Sequence, residues 1–315
     1  MSTPVLCVLG PTASGKTGLA VELCQRHPFE IVSVDSALIY RGMDIGTAKP
    51  DAETLQAAPH SLIDIIDPWD TYSVSRFLAD VHQQISRIAS AGRIPLLAGG
   101  TMLYYKSLWD GLSELPESSA SVREQLQRQA EQHGWCSLHA ELARVDPDAA
   151  QRIHANDPQR LIRALEVYKV TGEPLTKMQN QRRPIKTYRY FNVGIQPTDR
   201  AALHDHISAR FSQMLERGFV KEVEGLVALP GMHRDLPSMR CVGYRQVSAM
   251  LHDESTYSEM CERGIAATRQ LAKRQITWMR RMDNLHRLDF APRADDVERL
   301  GGFDHWMQSV SLWRG

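Results

Sequence analysis

Near the start of the chain, Gly10-Pro11-Thr12-Ala13-Ser14-Gly15-Lys16-Thr17 fits the pattern G-x-x-x-x-G-K-[ST]. It lies between an apolar run, Val5 to Leu9, and a helix-forming stretch, Thr17 to Arg26. That placement dictates a strand, a tight loop and a helix in sequence. The glycines let backbone N–H groups turn inward, and the helix N-terminus adds partial positive charge. Lys16 is placed to meet terminal phosphate oxygens, and Thr17 to ligate Mg²⁺. A surface turn matching by chance would lack the buried strand before it and the helix after it. The loop fixes a ligand class, a di- or triphosphate with ATP among the candidates, and leaves the reaction open.

Further strands are expected at Glu30 to Val34, Ser61 to Ile66 and Ile94 to Ala98, with a helix capped by Ser75 between the last two. This alternation argues for a parallel sheet covered by helices. From about Leu115 the pattern becomes helix after helix: Ser121 to Glu131, Leu138 to Val145, Asp148 to His154, and Pro158 to Val170 ending at Gly172. Tyr188 to Ile195 reads as a strand returning to the sheet, and Thr198 as the cap of a helix reaching about Arg217. Helices follow near Val220 to Ala228, Tyr244 to Leu251 and Ser258 to Met282. The fold class expected is α/β, a P-loop NTPase-like parallel sheet flanked by helices, with an inserted all-helical subdomain. Residues 1–114 and 187–315 form the catalytic core with its C-terminal helices, and 115–186 the insertion.

Across 315 residues, 37 Lys plus Arg balance 37 Asp plus Glu, so bulk charge does not decide whether nucleic acid is a partner. Distribution does more. Arg152 to Arg189 holds nine Lys/Arg against three Asp/Glu, and Arg263 to Arg287 seven against one. At helical spacing Arg269, Lys273 and Arg280 share a face, as do Arg160 and Arg163. Such faces are usually solvated surface, but two of them alongside a phosphate loop point toward RNA phosphates. The five cysteines form no CxxC pair and fit free thiols in a reducing cytosol. No run approaches the ~20 apolar residues of a membrane span, so a cytoplasmic protein is expected. Asp35 ends a strand, where it can cap a loop or face the phosphates. Gly99-Gly100-Thr101 ends another, with a hydroxyl where an ATPase often places a metal-binding acid; Thr101 can also simply cap a helix.

Longer words carry a resemblance. Beyond GPTASGKT these are DSALIYRGMDIGTAKP at Asp35 to Pro50, LIDIIDP at Leu62 to Pro68, and GGTMLYY at Gly99 to Tyr105. NDPQRLIRALEVY follows at Asn156 to Tyr168, RCVGYRQ at Arg240 to Gln246, and ATRQLAKRQITWMRR at Ala267 to Arg281. Together they span nearly the whole chain and resemble the tRNA dimethylallyltransferases, or tRNA isopentenyltransferases, of the bacterial MiaA type.

The resemblance implies transfer of a dimethylallyl group from dimethylallyl diphosphate, the co-substrate, to N6 of the adenosine 3′-adjacent to the anticodon. The tRNAs are those reading codons that begin with U; Mg²⁺ is the cofactor and the enzyme is expected to be a monomer. It implies Asp35 as the base that accepts the N6 proton and Thr101 as the group that orients the bridging oxygen of the diphosphate. Gly10 to Thr17 and Arg210 then hold the donor, with Thr17 on the metal. Contacts to the tRNA anticodon stem-loop are implied for Asp35, Ser36, Ala37, Leu38 and Thr101, and for Arg123, Gln159, Arg160, Leu161, Ile162 and Arg163 in the insertion. They are implied also for Arg240, Cys241, Val242, Gly243, Tyr244 and Arg245, and for Lys273, Arg274, Gln275, Ile276, Thr277, Trp278, Met279 and Arg280. The sequence departs from the family pattern at Leu38, where many relatives have Gln, and at Met102, where many have Gly. Two other readings stay open: a P-loop kinase of a small metabolite or nucleotide with Asp35 as base, and a nucleotide-dependent RNA-binding protein without covalent chemistry.

Overall fold

A computed structural model of the chain describes residues 2–113, 115–180, 188–290 and 303–307. It divides into two compact units, Met1–Tyr105 with Lys186–Gly315, and Lys106–Ile185. Residues 114, 186 and 187, where the sequence reading drew domain boundaries, lie outside the described residues, as do the basic residues Arg182, Arg183 and Lys186.

In chain order the elements are β1 (Thr3–Leu9), α1 (Lys16–Arg26), β2 (Phe29–Val34), α2 (Ala52–Ala57), β3 (His60–Ser61), α3 (Val74–Ser90), β4 (Ile94–Gly99) and α4 (Met102–Asp110). Then come α5 (Ala120–His133), α6 (Trp135–Val145), α7 (Pro147–Arg152), α8 (Pro158–Thr171) and α9 (Leu175–Gln179). The chain continues through β5 (Tyr188–Pro197), α10 (Arg200–Glu216), α11 (Phe219–Val227), α12 (Tyr244–Leu251), α13 (Tyr257–Arg280) and β6 (His286–Phe290).

The strands form one six-stranded sheet in the order β3-β2-β4-β1-β5-β6, every pair parallel. Val5 to Leu9 are fully buried, as a central parallel strand covered on both faces must be. On the side of α1, Leu6, Val8, Ile31 and Leu96 pack with Leu19, Leu23, Phe191 and Phe303. Register sets what happens at the sheet's rim. Leu9 pairs with Gly99 and Val34 with Gly99, so β1, β4 and β2 end level with one another and their following loops leave from neighbouring points. In open parallel sheets that carboxyl rim is where ligands bind. The helices after β5 build a second core around Ile39, Phe211, Phe219, Tyr244 and Met260.

The second unit is helical and has a core of its own, centred on Leu126, Leu138, Leu142, Leu161 and Leu165. Its α8 begins with Asp157 accepting from the Arg160 N–H and Pro158 in the first turn, and ends at Gly172 with φ 73°.

Three local expectations are corrected. The strand expected over Ser61 to Ile66 stops after Ser61, because Leu62 and Asp64 adopt left-handed backbone at φ 63° and 54°; only an isolated bridge from Tyr40 to Ile66 follows. Helix α3 is capped by Ser73, whose side chain accepts from the Arg76 N–H, and not by Ser75. Helix α10 is capped by Asp199, not Thr198. The edge strand β6 had no counterpart in the sequence reading: HRLDF is short, with two of its five residues charged, and its pairing with Val193 to Pro197 is its main definition.

Candidate active site

The phosphate loop takes its shape from two left-handed residues, Ala13 at φ 61° and Gly15 at φ 78°, and a turn in which the Ser14 N–H donates to Pro11 O at 3.3 Å. Gly15 caps α1 without any side-chain acceptor, so the first-turn N–H groups of that helix remain available to an anion. The Ser14 Oγ is buried and has no hydrogen-bond partner among the described residues. Lys16 Nζ donates to Pro11 O at 3.2 Å, folded back over the loop it serves. Burial lowers its pKa from 10.5 to about 8; Asp35 opposes the shift and Arg210 adds to it. The Arg210 guanidinium is likewise lowered by burial and supported by Asp35. One carboxylate and two cations thus share a poorly solvated space.

Asp35 leaves the end of β2. Its Oδ1 accepts from the Ala37 N–H at 2.8 Å and the Leu38 N–H at 3.4 Å, so the carboxyl group both caps its own loop and stands in the cavity. The capping use that the sequence left open is present, and it leaves Asp35 on the cavity wall. Thr101, leaving β4, accepts from the Ser36 N–H at 3.1 Å and donates to Ser36 Oγ at 3.4 Å, stitching the adjacent strand ends together. A cavity of about 610 Å³ runs between these loops, lined by Thr12, Lys16, Asp35, Thr101, Arg210 and Phe211 and also by Leu38, Arg240 and Trp278. The Cys241 thiol on its wall is pushed up to about 12 by burial and by Asp35, and stays protonated.

The donor set suits a hard cation that keeps much of its water and leans on phosphate oxygens. Thr17 and Ser33 line the cavity, and the buried Ser33 Oγ has no hydrogen-bond partner among the described residues. Among the described residues no group of three or more His, Cys, Asp or Glu gathers at one point.

Residues that the sequence reading did not single out hold this arrangement. Glu222 on α11 accepts from the Asp44, Ile45 and Gly46 N–H groups at 2.9, 2.6 and 3.1 Å and from the Tyr244 hydroxyl at 2.6 Å. Lys49, its side chain 4% exposed, is held by Asp44, Asp64 and Tyr40 O. Together they fix the excursion between β2 and α2. No local signal marks Glu222, because the loop amides it holds lie 176 to 178 positions away in sequence.

The stretches expected to meet RNA are not uniform. On α13, Lys273, Arg274, Thr277, Trp278 and Arg280 are exposed, while Gln275 and Met279 are buried and Ile276 is half-buried. Arg269, expected on the same basic face, donates to Ser208 Oγ at 2.9 Å on α10 and is not free surface. Arg240 and Arg245 are exposed, Cys241 and Val242 half-buried, and Gly243 and Tyr244 buried. In the helical unit Gln159 and Arg160 are exposed, Ile162 is half-buried and Leu161 is in the core. The side chains of Leu161, Tyr244, Gln275 and Met279 are buried, as a helix that meets RNA with one face must bury the other, and of these Tyr244 and Gln275 line the cavity. Arg123 and Arg163 both bind the fully buried Glu166, at 3.1 and 2.7 Å. Burial alone raises that carboxyl pKa, but hydrogen bonds from Arg163, Ser119, Ser118 and Arg123 outweigh it and hold it below 4.5.

No helix among the described residues is long and apolar enough to cross a membrane. The family model for IPP transferase matches residues 38–282, and that for isopentenyl transferase residues 3–64. A tRNA isopentenylpyrophosphate transferase of Bacillus halodurans is 34% identical, with 97% of this chain and 96% of that one covered and a TM-score of 0.72. A tRNA delta(2)-isopentenylpyrophosphate transferase of Staphylococcus epidermidis is 32% identical, covering 98% and 100%, with a TM-score of 0.70. A eukaryotic dimethylallyltransferase acting on tRNA shares the fold, with a TM-score of 0.80 at 24% identity over 98% of this chain and 80% of that one. None of these matches is a kinase. A phosphate loop, an acid and a hydroxyl on three adjacent strand ends, under a family model that covers most of the sequence, place the chain in the IPP transferase family.

Proposed function

We propose that the protein transfers the dimethylallyl group of dimethylallyl diphosphate to N6 of the adenosine 3′-adjacent to the anticodon, in tRNAs reading codons that begin with U. It would act as a cytoplasmic monomer. One observation carries the reading: the phosphate loop, Asp35, Thr101 and Arg210 all face a single cavity large enough for a diphosphate, a five-carbon chain and a purine edge.

In this reading the N6 lone pair forms a bond to the allylic carbon as the carbon–oxygen bond breaks and its electron pair leaves with the diphosphate. Negative charge grows on that leaving group, and the loop amides, Lys16 and Arg210 are preorganised against it. Mg²⁺, held by Thr17 and the diphosphate oxygens, would supply further charge there. An exocyclic amine conjugated to a purine is a weak nucleophile, so Asp35 takes its proton as the new bond forms. Thr101, already hydrogen-bonded to Ser36, fixes where the bridging oxygen can lie. The adenine must leave its stack to enter, as for other base-modifying enzymes. The exposed cations Arg240, Arg245, Lys273, Arg274 and Arg280, and Arg160 in the helical unit, serve the RNA backbone.

The test offers the protein unmodified tRNA with dimethylallyl diphosphate and, separately, labelled ATP. The expected result is N6-alkylated adenosine with one diphosphate released per transfer. Phosphate transfer from ATP without alkylation would overturn the reading.

A further inference from the structure

We propose that Gln275 is a positioning residue for the donor: its amide holds the phosphate loop and the Gly100 turn at a fixed separation, so that both address the same diphosphate. The proposal rests on the reading of the cavity given above and assigns Gln275 a role other than RNA contact. Gln275 Oε1 accepts from the Thr12 N–H at 2.8 Å, and its Nε2 donates to Gly100 O at 2.9 Å. The side chain is 8% exposed and reaches partners 263 and 175 positions away in sequence.

A carboxamide does both, at two separate atoms. A carboxylate accepts but cannot donate, and an ammonium donates but cannot accept. The loop works by aiming consecutive N–H groups at an anion. Committing the Thr12 N–H to Gln275 fixes the orientation of that peptide and so the direction in which the following amides point. At the other end, Gly100 precedes Thr101, and a Cβ at residue 100 would stand 2.4 Å from Gln275 Nε2 and 3.3 Å from Gly10 O. The clamp therefore accounts for the absence of a side chain at residue 100. It also sits on α13 between the exposed Lys273, Arg274 and Thr277, so one helical turn faces outward with cations and inward with the clamp.

The experiment measures dimethylallyl diphosphate binding by calorimetry without RNA, and tRNA binding separately, for Gln275→Met, Gln275→Glu and Gly100→Ala. Each variant is expected to weaken donor binding about tenfold or more, since each disturbs at least one of the clamp's two buried hydrogen bonds, and to leave tRNA affinity unchanged. Gln275→Met combined with Gly100→Ala is expected to be no worse than either alone, because both break one clamp. Gln275→Glu keeps the volume and the acceptor for Thr12, and serves if the methionine variant does not fold. Donor affinity equal to that of the unaltered protein, or an equal loss of donor and tRNA binding, would overturn the proposal. Failure of the unaltered protein to bind the donor at all would overturn the proposed function as well, and is visible before any variant is made.

Discussion

Lys16 carries the most consequential charge in the cavity, because burial has brought it within reach of ordinary pH. With a pKa of about 8 it is largely protonated below that value, and a bound diphosphate, favouring the charged form, draws its pKa upward. The complex then holds a proton that the free protein has lost. Donor affinity is accordingly full below about pH 8 and declines as pH rises through it. Titrating dimethylallyl diphosphate affinity from pH 7 to 9.5 tests this; the donor's own phosphates, whose last proton leaves at roughly pH 6, are already ionised where Lys16 changes state. Lys16→Arg, whose charge persists, is expected to flatten the profile. At this scale the sequence is informative where chemistry is contiguous. Gly10 to Thr17 can be read directly because a loop of consecutive amides is a local object. The Gln275 clamp cannot, because its two hydrogen bonds join segments 263 and 175 positions apart and nothing in KRQIT distinguishes an inward amide from an outward one.

Among the elements, α8 separates two cations that sequence spacing makes equivalent. Arg160 is 74% exposed and pairs with Asp157 at the start of its own helix, whereas Arg163 is engaged by the buried Glu166 and by Pro116 O. Their replacements should therefore fail differently. Arg160→Ala is expected to raise the apparent tRNA constant and reduce the steepness of its salt dependence, with melting unchanged. Arg163→Ala leaves a buried carboxylate short of a partner and is expected to cost about 3 kcal/mol in the helical unit, read as a lowered melting transition. If the two variants behave alike in both measurements, the distinction drawn from Glu166 is wrong. The same lesson applies to other elements. The apolar runs of β1, β2 and β4 announce themselves because each is buried on both faces. The stretch after Ser61 has strand-like composition but turns at Leu62 and Asp64, where Asp64 is needed by Lys49. The need lies in the tertiary structure, so composition could not reveal it.

At the scale of the whole molecule, the first unit is a parallel sheet whose central strands end at one level, with loops that bring a phosphate cradle, an acid and a hydroxyl into one cavity. Helices α10 to α13 supply what the sheet does not: Arg210, the Glu222 anchor for the loop after β2, the Gln275 clamp and the exposed cations. The order of strands and helices follows from the alternation in the sequence, while the convergence of these distant side chains depends on strand register and helix packing. The account stands or falls on Asp35 acting on the nucleophile while the other groups hold the leaving anion. Single-turnover transfer to tRNA by Asp35→Ala, with both substrates saturating and tRNA affinity measured alongside, tests it most directly. The account predicts a rate lower by about 10²–10⁴-fold with tRNA affinity intact; a single-turnover rate equal to that of the unaltered protein would contradict it.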